Sequence, residues 1–523
     1  MKSLLSLAIM ALLGAQASFG ESATPREAAR FLDQATWGPT PASMAAFEQM
    51  GIVDWLNAQF ALNTSDLPDQ AMLDAAGKSN NNLAPVQAAF FQNTLTGDDQ
   101  LRQRVAFILS QIWVVSATSG VSPAYAFPPY WRIFRDNAFG NYRDVIKAVT
   151  LSPAMGRYLN MANNNKANAA RGTAANENYA RELMQLFTLG LTQLNPDGSP
   201  VVDGSGNPVA TYDQTTVTNM AKVLTGWTYP TAPGGKAQVN NPAYYIGQMF
   251  AVEAEHDTSA KTIFGGITIP AGQTAEQDLE SLLNALMAQP TMAPFVCQQL
   301  IEHLVTSNPS PAYIQRISQV FENDGTGTVG NLQAVITAIL TDQEARAGDG
   351  AQSAITANFG HLREPILMLS NLLRGLGATA AAANGIAGSA TNLSQDLFYS
   401  PSVFSYFSPQ YRTEHGLLGP EFQIYSTQTA ASRADTVNTL LYGTLAGVRV
   451  NLDPFAAMAG NTTNLLNYIG EVFLHNSMSS ALEVAMTDAV NAATGTTAAA
   501  KATAKAQAAL YVALTSSEYQ VIQ

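Results

Sequence analysis

The sequence predicts a mainly α-helical protein, a large multi-helix assembly with short β-hairpin insertions. Three observations lead to this prediction. Apolar residues recur at helical spacing through most of the long segments. Residues that favour a helix start precede several of those segments. Strand-like runs are confined to two short stretches of the chain.

The helical segments follow one another along nearly the whole chain. The first clear one, "TPASMAAFEQM", has Thr40 as its N-cap, Pro41 at the first helical position and Gly51 at its end. A second, "NYRDVIKAVTLSPAMGRYL", is expected to break at Pro153, because proline lacks the N–H that a helix interior needs. Further helices are predicted for "DQLRQRVAFILSQIWVVS", "QDLESLLNALMAQP", "AYIQRISQVFEND", "NLQAVITAILTDQEAR", "REPILMLSNLLRGLG" and the alanine-rich "TAAAKATAKAQAALYVALTSSEYQ".

Strand evidence is limited to two stretches. A hairpin is predicted near 200–212, and "KTIFGGITIP" predicts a second one. Three polar or glycine-rich loops, at 161–176, 229–243 and 347–353, are long enough to be candidates for function. The last of them lies where two lobes of the chain would be divided, near 345–355.

Composition excludes several classes of protein. The chain has 523 residues, 47% of them apolar and 12% charged, and this balance is typical of a folded protein. The net charge of -13, with scattered Lys and Arg, argues against binding to nucleic acid, which needs clustered positive charge. Cys297 is the single cysteine, and its apolar surroundings suggest a buried, inert thiol.

The first residues have the pattern of a secretory signal peptide. A short basic end and an apolar run lead to Ala15-Gln16-Ala17, an A-x-A cleavage site. Residues 1–17 are therefore expected to be removed, which leaves 18–523 as a protein of the periplasm or the extracellular space. Beyond the signal, the sequence has no apolar run of the roughly 20 residues that a membrane-spanning helix requires.

The motifs that resemble common cofactor or metal sites are incomplete. "GTGTVG" at 325–330 has the glycine spacing of a dinucleotide site but follows a helix and has no βαβ unit around it. "DGSGNP" resembles a calcium loop, yet Pro208 stands where glycine is needed. The five histidines are isolated in the sequence. Neither a cofactor nor a metal ion can be named.

One helix has an unusually polar first half, "NENYARELMQLFTLG". At about 100° per residue, Glu177, Asn178, Arg181 and Glu182 fall on one face together with Gln185 and Thr188. Ordinary helix chemistry explains part of this pattern, since Asn176 is a good N-cap and Glu177 and Arg181 form a favourable i,i+4 pair. A solvated face and a functional site are both consistent with it.

From about Arg30 onward the chain resembles a bacterial exported family known as domain of unknown function 1800. The resemblance implies a mostly helical, exported protein whose chemistry is unassigned. It also implies genes that often lie beside those of a sulfatase-like exported family, so a sulfatase-like protein is an expected partner. The matching stretches are "FLDQATWGPT", "LRQRVAFILSQIWVVS", "AFGNYRDVIKAVTLSPAMGRYL", "NENYARELMQLFTLG", "VLTGWTY", "EHDTSAKTIFG", "FYSPSVFSYFSPQY" and "GPEFQIYS".

The resemblance marks a set of motif positions as candidate site residues. The two glutamates of the polar helix could act as acid and base if their surroundings separate their pKa values. A histidine beside an aspartate can hold a tautomer or bind a metal, and lysine and arginine can bind an anion. The candidate catalytic residues are Glu177, Arg181, Glu182, His256, Asp257 and Lys261, and the candidate ligand-binding residues are Asn178, Trp227 and Trp37.

We expect Glu182 or Glu177 to lie within a few ångströms of the 256–261 loop, because both segments belong to one polar cluster in this hypothesis. The same residue types could instead form a buried structural network, or a site that binds a ligand without chemistry. The aromatic stretch "LFYSPSVFSYFSPQY" is similarly ambiguous, because a sugar-stacking platform and a packed loop have the same composition.

These patterns favour an acid/base or metal-assisted enzyme that acts on a carbohydrate or another cell-envelope polymer. The alternative is a non-catalytic envelope protein that binds, scaffolds or matures a partner encoded nearby.

Overall fold

The computed structural model describes residues 23–381 and 383–523 and confirms the mainly helical class. The predicted signal peptide, residues 1–17, lies outside the described residues. The helices before the middle of the chain are α1 (Pro25–Ala35), α2 (Pro41–Ala61), α3 (Ala84–Thr96), α4 (Gln100–Ile112), α5 (Phe127–Asn137), α6 (Tyr142–Thr150), α7 (Pro153–Tyr158), α8 (Asn178–Glu182) and α9 (Gln214–Val223). A π-helix, Leu183–Thr188, continues directly from α8.

The remaining helices follow the small strands that interrupt the middle of the chain. They are α10 (Ala275–Met287), α11 (Met292–Leu304), α12 (Pro311–Glu322), α13 (Leu332–Thr341), α14 (Gln343–Arg346), α15 (Pro365–Gly375), α16 (Asn384–Asn392), α17 (Thr427–Tyr442), α18 (Asp453–Met458), α19 (Thr462–Phe473), α20 (Ser480–Ala492), α21 (Ala498–Thr515) and α22 (Ser517–Gln520). Short 3-10 turns lie at Ala124–Ala126, Ala169–Arg171, Glu253–Glu255, Gln352–Ala354 and Pro420–Ile424.

The strands form small antiparallel pairs. They are β1 (Trp227–Thr228) with β2 (Phe250–Ala251), β3 (Lys261–Ile263) with β4 (Ile267–Ile269), β5 (His361–Leu362) with β8 (Val521–Ile522), and β6 (Thr379–Ala380) with β7 (Val448–Arg449). The pair β3–β4 is the hairpin predicted from "KTIFGGITIP". The hairpin predicted near 200–212 forms its turn but no strand, because Pro200 and Pro208 occupy bridge positions and have no N–H to extend a ladder.

Helix boundaries follow the local signals in the sequence. Thr40 caps α2 in a reciprocal pair of hydrogen bonds with Ser43, and Pro41 is the first helical residue. Gly51 ends the first helical stretch of α2, as predicted, because its backbone is non-helical at φ 69°. A second helical stretch follows directly and reaches Ala61. The predicted break at Pro153 is confirmed, since α6 ends before it and α7 begins at it.

One apolar core extends through the described chain. It continues across residues 345–355, where the sequence suggested a boundary between two lobes, and that division stays a prediction. Cys297 is fully buried in this core. Trp37 is 1% exposed, and its ring lies 5.3 Å from the rings of both Phe90 and Phe107. Among the described helices, none combines the length and apolar character needed to cross a bilayer.

A buried charge network joins the first helix to the second half of the chain. Asp33 on α1 accepts two hydrogen bonds of 2.6 Å from Arg363 and one of 2.9 Å from Asn371. His475 Nε2 lies 2.8 Å from the same carboxylate. Burial alone would raise the pKa of Asp33, but Arg363 and His475 outweigh it and lower this pKa far below its usual range.

Candidate functional site

The polar face predicted for "NENYARELMQLFTLG" is regular only over its first turn. From Leu183 to Thr188 the backbone is a π-helix, in which hydrogen bonds span one residue more than in an α-helix. Thr188 was expected on the polar face, and this expectation was wrong. The extra residue in the turn carries Thr188 into the core, where it is fully buried and its hydroxyl donates to Leu183 O at 2.7 Å.

Glu177 and Arg181 form a half-exposed network with the neighbouring helix α9. Glu177 Oε2 lies 3.2 Å from Arg181 Nη2, and it accepts from Gln214 Nε2 at 2.9 Å. Thr218 donates to Glu177 Oε1 at 2.8 Å. The hydrogen bond from Thr218 lowers the pKa of Glu177, and those from Gln214 and Arg181 add to this effect against a smaller opposing contribution from burial. This geometry is that of a solvated ionic cluster between two helices.

Glu182 has a different environment from Glu177 on the same helix. Its side chain is half-buried, and the described residues provide it with no hydrogen bond or ion pair. Burial raises the pKa of Glu182, while the charge of Arg181 opposes the rise. Asn178, which is half-buried, donates its backbone N–H to Asn176 Oδ1 at 2.9 Å. The two glutamates therefore differ in pKa direction, as a general acid and base would.

His256 and Lys261 belong to a fully buried network that includes an aspartate not predicted from the sequence. His256 Nε2 lies 3.1 Å from Asp278 Oδ2, and Lys261 Nζ lies 2.5 Å from the same oxygen. All three side chains have no exposed surface. Asp278 stands on the apolar stripe of α10 between Ala275 and Leu282. A single acid on an apolar helix face needs a buried cationic partner, and this feature of the sequence could have identified Asp278.

Asp257 and Trp227 flank this network. The Asp257 carboxylate accepts from the backbone N–H of Ser259 at 2.9 Å and from its hydroxyl at 2.5 Å. Burial alone would raise the pKa of Asp257, but these bonds outweigh it and the pKa is lowered. Trp227 on β1 is 3% exposed, and within the described chain its indole N–H has no acceptor.

The polar helix face and the 256–261 loop are neighbours through α9, which packs against both α8 and β3. Glu177 bonds to Gln214 and Thr218 of this helix, whereas Asn219 of the same helix donates to Thr262 O at 2.8 Å. In the described residues, no hydrogen bond or ion pair joins the two groups directly. Glu177 and Arg181 thus form a solvated cluster, and His256 and Lys261 form a buried one. Trp37 packs in the core apart from both.

We expect Glu182→Gln to leave the melting temperature within a few degrees of wild type, a change of about 1 kcal/mol or less. The reason is that Glu182 has no ion-pair partner among residues 23–381 and 383–523. Asp278→Asn is the matched substitution in the buried network. It should cost roughly 3–5 kcal/mol, because it leaves the Lys261 ammonium buried without a counter-charge. Thermal melts of the two variants test this contrast, and equal losses would show that Glu182 takes part in a buried network like that of Asp278.

A third group of ionisable side chains surrounds a small pocket, which we name the Glu302 pocket. It is lined by Gln111, Glu302, His303, Phe404, Ser405 and Glu421, together with apolar neighbours that include Leu186 of the π-helix. Its volume is about 50 Å³, which is room for a few water molecules. Five separate segments of the chain supply its walls.

The two ionisable residues from α11 have strongly shifted pKa values. Burial raises the pKa of Glu302 to about 8; the hydrogen bond from Gln298 opposes the rise, and the charge of Glu421 adds to it. Gln298 Nε2 donates to Glu302 Oε1 at 2.8 Å. Burial, with Arg104 and His361 nearby, lowers the pKa of His303 to about 3. At neutral pH the first group holds its proton and the second is uncharged.

The other polar residues around the pocket form hydrogen bonds with buried side chains. His361 Nδ1 lies 3.2 Å from Glu421 Oε1. Gln111 Nε2 donates to Glu364 Oε1 at 3.2 Å, and burial raises the pKa of Glu364 although Arg104 opposes the rise. The guanidinium of Arg104 donates to His303 O at 2.7 Å. Perturbed carboxylates and histidines around one cavity are typical of functional sites.

The aromatic stretch at 397–411 supplies one side of the pocket. Phe407 is buried at 6% exposure, whereas Phe404 is 41% exposed at the mouth. The stretch therefore contains a buried aromatic ring, Phe407, and a solvent-exposed one, Phe404.

Sequence reasoning missed this pocket, although weak signals were present. Arg104 and Glu302 are charged residues within apolar helical runs, and Glu364 directly precedes another such run. A charge in such a position requires a buried partner. Within residues 23–381 and 383–523, no set of three or more His, Cys, Asp or Glu side chains is grouped as a metal-ion site.

Comparison with known proteins assigns the chain to a family. The family model described as "Protein of unknown function (DUF1800)" matches residues 30–521. Neither the comparison with curated proteins nor that with solved structures gives a match. Because the family model covers nearly the whole chain, the protein belongs to the DUF1800 family.

Proposed function

We propose that the protein is an exported acid/base enzyme that acts in the Glu302 pocket on a carbohydrate or another cell-envelope polymer. The observation that supports this proposal best is the pair Glu302 and Glu421 in one small pocket, with a pKa of about 8 for Glu302. A carboxylic acid that keeps its proton at neutral pH can donate it to a leaving group or a carbonyl oxygen.

The two carboxyl groups would have separate roles. Glu302 is the general acid, since burial favours its neutral form. Glu421 is the base, and His361 fixes one of its oxygens and leaves the other for the reacting group. Pairs of carboxyl groups in contrasting environments are a common way to supply an acid and a base at one pH. The polar cluster around Glu177 would position the helix that continues into the π-helix, whose Leu186 lines the pocket.

The mouth of the pocket supports a polymer as the substrate. The pocket is too small for a whole sugar residue, because small-molecule sites have volumes of roughly 300–1,000 Å³. A polymer would therefore place one functional group inside and leave its body on the surface. The exposed ring of Phe404 offers an apolar face on which such a body could stack. The signal-like pattern of the first 17 residues supports an activity in the periplasm or outside the cell.

The activity is tested with Glu302→Gln and Glu421→Gln, which keep shape but cannot transfer a proton at neutral pH. Glu414→Gln, at an exposed position in the same part of the chain, is the matched control. Wild type and control should release soluble fragments from purified peptidoglycan or envelope polysaccharide, detected by mass spectrometry. The two pocket variants should be slower by roughly 10²–10⁴-fold. Unchanged rates in both pocket variants, or no release by wild type, would contradict the proposal.

A non-catalytic role is the second candidate, and one observation favours it. Phe404, Tyr411 and Phe422 are exposed by 41%, 36% and 37%, on two segments that meet at the pocket. An exposed aromatic surface of this kind could bind a partner, such as a sulfatase-like exported protein. Capture of such a partner by wild type, lost in Phe404→Ser, with no fragment release from envelope polymers, would favour this role.

A further inference from the structure

Ser405, in the wall of the Glu302 pocket, has an unusual backbone conformation. Its φ is 65°, within a tight turn closed by a bridge to Ser402. This left-handed region is unfavourable for residues other than glycine, because Cβ approaches the following carbonyl oxygen. Glycine would relieve the strain, yet serine is present. Strain of this kind persists where the surroundings enforce it and is frequent at ligand sites.

Three polar atoms in the walls of the pocket lack partners. Ser405 Oγ, Gln111 Oε1 and Glu421 Oε2 are buried, and the described chain provides none of them with a hydrogen bond. The orientation of the Gln111 amide is fixed, since its NH₂ group donates to Glu364. Its carbonyl oxygen is therefore the atom without a hydrogen-bond donor. Buried polar atoms without partners are costly, and a bound ligand that pairs with them recovers that cost as affinity.

The chemistry of these atoms defines what the ligand must offer. Gln111 Oε1 and Glu421 Oε2 only accept hydrogen bonds, so the ligand must donate. The protonated Glu302 donates, so the ligand must also accept. A hydroxyl group does both, whereas a phosphate or carboxylate only accepts and an ammonium group only donates. Ser405 Oγ can take either role and completes the set.

We propose that Ser405 and Gln111 bind a hydroxyl group of a neutral sugar in the Glu302 pocket, with the sugar ring stacked on Phe404. This inference rests on the proposed function of the pocket and identifies its substrate class. Ser405 is then a ligand-binding residue, and the strained turn serves to direct its hydroxyl into the site.

The test uses isothermal titration calorimetry on the mature protein, with maltohexaose, cellohexaose and N-acetylchitohexaose as neutral probes. Wild type should bind at least one of them. Ser405→Ala and Gln111→Leu should weaken that binding about tenfold or more, the usual effect of a lost hydrogen bond of about 1.4 kcal/mol. Ser405→Gly should weaken binding equally and also raise the melting temperature by roughly 1–2 °C, because the strain is removed.

Ser394→Gly is the matched control. Ser394 has φ 69° and is exposed, so this variant should gain the same thermal stability and bind sugar like wild type. Binding to none of the neutral probes, or wild-type affinity in both Ser405 variants, would overturn the inference. Tighter binding of glucosamine hexamer than of N-acetylchitohexaose would overturn it in favour of an ammonium ligand.

The outcomes separate this inference from the proposed enzyme activity. Glu302→Gln keeps a hydrogen-bond donor, so it should retain sugar binding while losing turnover. Sugar binding that depends on Ser405, in a protein with no turnover, would refute the enzyme and retain the sugar site. Turnover that depends on Glu302 but not on Ser405 or Gln111 would refute the sugar-hydroxyl site and retain the enzyme.

Discussion

Replacing Asp33 with alanine is expected to lower the free energy of unfolding by roughly 3–5 kcal/mol. Asp33 is the common acceptor for Arg363, Asn371 and His475 in the buried core. Without it the Arg363 guanidinium stays buried with no counter-charge, and three elements that are far apart in sequence lose their shared contact. Chemical denaturation followed by circular dichroism measures the loss as a lower midpoint.

Asp54→Ala is the control for this prediction, because Asp54 is an exposed acid on α2. Its loss should change stability by less than about 0.5 kcal/mol, as is usual for surface substitutions. If the two alanine variants unfolded at the same denaturant concentration, the Asp33 network would not hold the fold as we describe.

The second large effect is a pH-dependent gain in stability for Glu302→Gln. Burial raises the pKa of Glu302 from 4.5 to about 8 in the folded protein. Between these values the unfolded chain has released the proton and the folded chain has kept it, so wild type loses stability as pH rises. Glutamine removes this loss. The difference in free energy of unfolding, variant minus wild type, should therefore grow by up to about 1.4 kcal/mol per pH unit from pH 5 to pH 8.

Melting temperatures at several pH values measure this gain as a widening difference between variant and wild type. Above pH 8 the difference should become constant, since Glu302 is then ionised in both states. Glu414→Gln should give a flat difference throughout, because Glu414 is exposed. A flat profile for Glu302→Gln would show that this carboxyl group is ionised in the folded protein and is no general acid.

Local signals in the sequence were sufficient to predict most of the fold. Thr40 and Pro41 start α2, Pro153 separates α6 from α7, and the Gly265-Gly266 turn closes β3 on β4. Each of these features depends on neighbouring residues alone. Gly51 interrupts α2 as predicted, since glycine adopts positive φ readily at helix ends. The local signal did not show that a second helical stretch follows directly, because packing beyond the glycine determines this.

The pocket could not be predicted in the same way. Gln111, Glu302, Ser405 and Glu421 come from four separate segments, and nothing in their spacing brings them together. The motif residues were a stronger signal in the sequence, since they stand in short polar clusters. In the structure, His256 and Lys261 are satisfied by Asp278, a single acid on an otherwise apolar helix face. The residue that pairs with a polar motif can thus lie in a helix whose sequence is otherwise apolar.

The π-helix at Leu183–Thr188 has a consequence for how the pocket could change in evolution. A π turn holds one residue more than the α turn it replaces. Deletion of one residue there would let the helix run on as α while the residues beyond it keep their orientation, because the shorter α turn completes the same rotation. Glu177 and Arg181 would keep their contacts with α9. The residues inside the turn, Leu186 among them, would point in new directions. Relatives with a one-residue gap in this segment would therefore differ in one wall of the Glu302 pocket while the rest of the fold is unchanged.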